Sequence, residues 1–282
     1  MNQSPAPIAW TCPSCRHENS LLEYCPACGE RHLHPHQLTL TGLAEQAVES
    51  LSHVDGRIAR TMRTLLLKPG RLTEAWIRGE RRGWMGPFQL FLFLNIVFFF
   101  SQSLSGLSVL SAPLHDLTPS AQHMVDAHLA KHGGTQAELK PVFDRQQTTN
   151  AKLLVLIMVP LFAVALVILF PLRPRLAAIH LVFALHFYAF MLACLSVLFP
   201  LLGLILTMVP HRAPYTDPGL LDDVVSSIEL ALILLYLWPA VGRVYLTGPA
   251  RRLVTVIALA ATVLPILQLY RQFLFWITLQ EI

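Results

Sequence analysis

Five stretches of the chain are apolar at nearly every position: 88–110, 151–170, 180–209, 224–246 and 253–277. Each reaches the length of about 20 residues that a helix needs to cross a hydrocarbon core. The pattern therefore predicts an all-α polytopic membrane protein with four to five transmembrane helices. The run at 180–209 is long and contains Pro200, which predicts a tilt, a kink after Phe199 or an early end. The run at 253–277 is interrupted by Pro265 and Arg271. Whether it crosses fully decides the side on which the C-terminus lies.

Ahead of these runs, residues 38–87 change to an amphipathic pattern. Leu40, Leu43, Ala44, Ala47, Val48 and Leu51 recur at helical spacing, with Glu45, Gln46 and Glu49 on the other face. After Asp55-Gly56 a second helix is predicted. Its Ile58, Met62, Leu65 and Leu66 lie opposite Arg57, Arg60, Arg63 and Lys68. Pro69-Gly70 breaks it, and Trp76 and Ile77 lead into Arg78, Arg81, Arg82 and Trp84. Arginine mixed with tryptophan is what a membrane interface collects. Such a stretch either rests in the headgroups of an anionic cytoplasmic leaflet or packs on the protein's own bundle, and the two are compatible.

The polar segment 111–150 predicts a helical hairpin outside the membrane. Thr118 caps a helix with Pro119 at its first position, Gly133-Gly134 ends it, and Thr135 caps a second helix that runs into the next apolar stretch. The chain thus divides into a cysteine module at 10–32, juxtamembrane amphipathic helices at 38–87, and a transmembrane bundle at 88–277.

Composition reinforces the membrane reading. Of 282 residues, 54% are hydrophobic and only 13% charged, and the mean hydropathy is +0.52. A soluble domain carries about 25% charged residues, and a larger core cannot remove charge from a surface that must still face water. The formal net charge of +4 is modest, but its distribution is lopsided. Counted on alternate sides of the five runs, 15 of the 21 Lys and Arg residues share the side of the N-terminus. The positive-inside rule then puts that terminus in the cytoplasm. The first eleven residues hold neither a basic nor an apolar signal region, so no secretory signal is expected.

Of five cysteines, Cys12, Cys15, Cys25 and Cys28 crowd together and Cys194 stands alone in an apolar run. Two Cys-x-x-Cys turns facing one another make a four-thiolate site of the zinc-ribbon kind, so Zn is the expected cofactor. A thioredoxin-like redox role would need a surrounding βαβ domain that this short module cannot make. Nucleic acid is not an expected partner, because only Arg16 and Arg31 lie in the module. A closed four-thiolate site also leaves no position for catalysis. His32, His34 and His36 follow either as a solvated linker, the commoner case for spaced histidines, or as a second metal site.

Polar groups within the apolar runs are candidates for function. The intramembrane set is Asn95, His186 and Arg243, with Arg78, Arg81 and Arg82 as an interfacial basic set. His186 either hydrogen-bonds a neighbouring helix or forms a proton or ligand site, and Arg243 can snorkel to the surface. No hydrolase, metalloprotease or phosphate-loop motif occurs. These features point to a non-enzymatic membrane adaptor or regulator with a protein partner at the ribbon. The alternative is a small transporter or channel built around His186.

The chain resembles the bacterial zinc-ribbon membrane proteins grouped as domain of unknown function number 3667. The resemblance rests on the Cys12–Cys28 module, on His53-Val-Asp-Gly-Arg-Ile-Ala-Arg-Thr61 with Lys68-Pro-Gly70, on Ile77-Arg-Gly-Glu-Arg-Arg82 leading to Gly86-Pro-Phe88, and on Leu181-Val-Phe-Ala-Leu-His186. Trp84 stands where a tyrosine-like aromatic is expected. The resemblance implies an inner-membrane location and supplies no activity.

Overall fold

The computed structural model describes residues 10–19, 23–32, 39, 57–105, 119–170, 174–208 and 218–282. The amphipathic helix expected at 40–51, the Thr118 cap, and His34 and His36 lie outside them. The N-terminal module holds two short strands, β1 (Trp10–Thr11) and β2 (Glu18–Asn19), paired antiparallel. A second hairpin is closed by a bridge between Tyr24 and Arg31.

Beyond residue 56 the regular structure among the described residues is helical. Helix α1 (Arg57–Leu67) buries Thr61 and Leu65 against the bundle and turns its arginines outward. Pro69-Gly70 ends it, and α2 (Arg71–Ile77) follows at once, with Gly70 at φ +80. A β-carbon on Gly70 would sit 2.7 Å from Cα of Ala240. Glycine is required here both by the left-handed backbone and by that close approach.

The apolar runs become α3 (Pro87–Ser105), α6 (Met158–Leu169), α7 (Pro174–Met208), α8 (Pro218–Tyr245) and α9 (Pro249–Glu281). Between them lie α4 (Pro119–His132) and α5 (Gln136–Leu154). The hairpin read from the sequence is present: Gly133 and Gly134 take φ +77 and +91. Thr135 and Glu138 then form a reciprocal cap, the Thr135 N–H donating to Glu138 Oε2 at 2.9 Å.

Three helical segments are each long and apolar enough to cross a membrane: Ala177–Leu198, Ser226–Tyr245 and Pro249–Glu281. The 151–170 run departs from expectation. It is not one straight span, because Gln136–Ala151 and Val155–Leu169 meet at a 44° bend just before the 3-10 turn at Val155–Ile157. Counted as one span, the bent pair makes a fourth, and the apolar part of α3, Pro87–Gln102, is shorter. Pro200 lies inside the continuous α7, beyond the segment that fits a bilayer, and neither Pro265 nor Arg271 breaks α9. At about 1.5 Å per residue α9 is about 50 Å long, more than hydrocarbon alone requires.

Helix α3 packs chiefly along α7, and α9 against α5, α6 and α8. The core is aromatic: Phe162 stacks on Phe187 at 4.6 Å, and Tyr236 sits among Phe183, Phe187 and Phe190. The outside is apolar too, with Ile96 71%, Ile168 76%, Val197 69% and Leu264 65% exposed. Helices hydrophobic all round belong in lipid or in the middle of a much larger protein.

The bundle has two unlike ends. At one, Tyr245 closing α8 bonds His180 near the start of α7, Phe170 stacks on Tyr245, and Arg251 at the start of α9 lies over Phe170. At the other, Val125, Phe143, Phe275 and Leu279 join α4, α5 and α9 in a separate small core. There Asn150 and Gln146 both donate to Glu281.

Candidate metal centre and the turn it docks on

Each Cys-x-x-Cys turn folds back on itself. The Arg16 N–H donates to the Cys12 carbonyl at 2.9 Å, and the Gly29 N–H to the Cys25 carbonyl at 2.6 Å. The residue after each second cysteine takes a left-handed backbone, φ 62 at Arg16 and φ 69 at Gly29. Glycine adopts that at no cost, whereas arginine there is strained. The two turns face one another, with Sγ of Cys12 3.5 Å from Cys28 and Sγ of Cys15 3.5 Å from Cys25. All four sulfurs lie within 4.8 Å of one another. A tetrahedral ion with bonds of about 2.3 Å would set its sulfurs about 3.8 Å apart, so the four thiols can take one metal ion.

The thiols also conflict in its absence. At Cys25 burial works against the thiolate, but backbone N–H groups of Cys28 and Ala27 outweigh it and hold the group at about 6. Burial pushes Cys28 up to about 12. One thiolate is favoured and its neighbour is held protonated, which is the arrangement a divalent cation relieves.

The second turn carries a residue that the sequence reading passed over. Glu30 is 3% exposed. Its Oε2 accepts the Ser14 hydroxyl at 2.6 Å and the backbone N–H groups of Arg81 at 3.1 Å and Arg82 at 3.0 Å. One carboxylate therefore ties both cysteine turns to the turn that leads into α3. Charge-assisted bonds of this kind are about twice as strong as neutral ones. Gly29 packs against the Arg82 guanidinium, which would have to move to admit a side chain there. Burial lowers the Arg81 guanidinium to about 10, against the opposing pull of Glu30, so it stays charged at neutral pH. Nothing local in the sequence marks Glu30, because its partners lie 16, 51 and 52 residues away.

Arg81 and Arg82, expected among lipid headgroups, thus engage the cysteine module, and Arg81 also covers the Trp76 ring at 5.1 Å. Arg78 pairs with Glu74 at 2.5 Å and remains exposed. Glu74 gathers Arg71 at 3.5 Å and Arg243 at 3.9 Å as well. Arg243, 35% exposed in the last turn of α8, also has partners within the protein. Its guanidinium donates to the carbonyls of Lys68 at 3.2 Å and Pro69 at 2.7 Å, capping the end of α1. His186 is 2% exposed, with Nδ1 2.8 Å from the Thr73 hydroxyl. Thr73 and Glu74 are consecutive in α2, so this short helix links His186 to Arg243. Asn95 is buried in α3. Cys194 is half-buried against the main core.

The cysteine module, α1, α2 and the arginine turn therefore meet at the basic end of the bundle. No curated protein and no solved structure matches the chain. Residues 55–99, which hold α1, α2, the arginine turn and most of α3, match the model of the family described as Protein of unknown function (DUF3667), so in that segment the chain is similar to this family.

Proposed function

We propose that the protein is a multi-pass protein of a bacterial inner membrane, with a cytosolic N-terminus, that acts as a non-enzymatic adaptor or regulator through a zinc ribbon docked on its own bundle. The observation that carries this reading is the Glu30 carboxylate, which joins both cysteine turns to the backbone of Arg81 and Arg82. Metal occupancy and the entry to the first apolar helix are thereby mechanically connected. Four converging thiols favour zinc among the common divalent ions, and a closed site leaves no coordination position for a substrate.

On this reading the shorter α3 also crosses, so that α3, the bent α5–α6 pair, α7, α8 and α9 alternate between the two unlike ends as five spans. The basic end, with Arg78, Arg82, Arg243, Arg251 and Arg252, faces the cytoplasm on this reading. The α4–α5 hairpin and the end of α9 then lie outside. The transporter alternative needs His186 and Asn95 to line a path, whereas His186 is engaged by Thr73 of α2 and Asn95 is buried in α3, and no observation favours it.

Crosslinking and affinity isolation from native membranes, with full-length protein and a version lacking residues 1–36, tests the proposal. A protein partner that depends on the ribbon supports it. The same partners and phenotype without residues 1–36 would remove the ribbon from the function. Loss of every partner in both samples would shift the reading to transport.

A further inference from the structure

A second site lies on α1, on the face turned away from the bundle. Arg60, Arg63, Thr64, Leu67 and Lys68 line a surface groove of about 370 Å³. Their spacing of three and four residues puts them along one stripe of the helix. Arg60, Arg63 and Lys68 are all exposed, and among the described residues none has a carboxylate partner. A few ångströms away Arg71, Arg78 and Arg243 share Glu74 and Glu80. The cations of the groove have been left without counter-charge on a helix whose other face is fixed.

The groove is held in place rather than tethered. Thr61 and Leu65 are buried, the Thr61 hydroxyl accepts the Met85 N–H at 3.1 Å, and Arg243 clamps the last carbonyls of the α1 turn. Arg243 lies in the last turn of α8, so the groove stands level with the end of a membrane-crossing helix, the depth at which headgroups lie. Beside the cations, Leu66 is 40% and Leu67 68% exposed. Two exposed leucines would serve no purpose beside a soluble anion, but they suit the first carbons of an acyl chain.

We infer that this groove binds the phosphate of an anionic phospholipid, with the guanidinium groups of Arg60 and Arg63, the Thr64 hydroxyl and the Lys68 ammonium around the phosphate oxygens and Leu67 against the acyl chain. Arginine supplies planar paired donors and lysine a point charge, the usual combination for phosphate. The inference rests on the chain being embedded in a membrane and is independent of the adaptor role and of the ribbon.

Native mass spectrometry of the full-length protein in detergent, titrated with phosphatidylglycerol or phosphatidylcholine, tests it. Phosphatidylglycerol is expected to be retained at least tenfold more tightly, because each juxtamembrane cation strengthens anionic-lipid binding by about fivefold. Combined substitution of Arg60→Gln, Arg63→Gln and Lys68→Gln should abolish that preference, while Lys140→Gln with Arg145→Gln, at the opposite end, leaves it intact. A melting curve in detergent checks that the triple variant is folded, and each single substitution should lower the preference if it is not. Equal retention of both lipids, an undiminished preference in the variants, or displacement by millimolar inorganic phosphate overturns the proposal, the last by pointing to a free anion. Partner capture by the ribbon is read separately and is unaffected by any of these results.

Discussion

The Thr73 hydroxyl lies 2.8 Å from Nδ1 of His186, in a position where neither group meets solvent. This contact fastens a seven-residue helix outside the bundle to the middle of its most buried span. Thr73→Val removes the hydroxyl but keeps the volume, leaving a buried imidazole nitrogen unsatisfied. The expected loss is about 1–3 kcal/mol, read as a lower melting temperature in detergent. In a double-mutant cycle with His186→Phe the two losses should fall short of additivity by about 1 kcal/mol. Additive losses would mean that the contact is not made.

Glu30 offers a cleaner separation of binding from docking. Glu30→Ala keeps all four thiols but deletes the acceptor for two backbone N–H groups and one hydroxyl. Metal stoichiometry should stay at one ion per chain, while amide hydrogen exchange speeds up at Arg81 and Arg82. If exchange there stays slow, the ribbon is not held by this carboxylate.

Removing the metal should act in the other direction. Cys12→Ser with Cys15→Ser takes away two of the four ligands, and the small hairpins have little core to fall back on, so the module should unfold. Binding requires the thiols to lose their protons, so affinity should fall as pH falls. The protein should remain in the membrane fraction throughout. Retained stoichiometric metal in the double variant would show that the ligands lie elsewhere.

Gly70 is a stringent packing test. Its φ of +80 disfavours any side chain, and a β-carbon would lie 2.7 Å from Cα of Ala240. The obstacle is backbone, so no rotamer change relieves it. Gly70→Ala should cost about 2 kcal/mol or more, seen as a lower melting temperature with α1 and α2 exchanging faster. A variant as stable as the parent would place the α1–α2 turn farther from α8.

What the sequence disclosed and what it hid follow from the range of each interaction. The α4–α5 hairpin was legible because Gly133, Gly134, Thr135 and Glu138 act on one another within a few residues. The cysteine turns were legible for the same reason. The bend just before Val155–Ile157 was not, because apolar residues on both sides give a continuous run whether or not the helix is straight. The partner of His186 is 113 residues away, and the backbone partners that dock Glu30 on the arginine turn are 51 and 52 away. The partners of Arg243 within the protein were hidden because its acceptors are carbonyls, which carry no side-chain signature at all.

Orientation reduces to a single choice, since the bundle brings Arg251 and the ribbon to one end and Lys131 to the other. Lys131→Cys and Arg251→Cys can be labelled with a membrane-impermeant maleimide, with the parent protein setting the background from its own thiols. The Lys131→Cys variant should react in intact cells, and the Arg251→Cys variant only after lysis. The reverse pattern would put the ribbon in an oxidising compartment, where paired thiols become disulfides instead of holding a metal. The same labelling result therefore bears on the zinc assignment. A reducing cytosol is the environment in which four thiols this close together, two buried and two at least partly exposed, persist as ligands, and an excess of arginine at that end is what would retain it there.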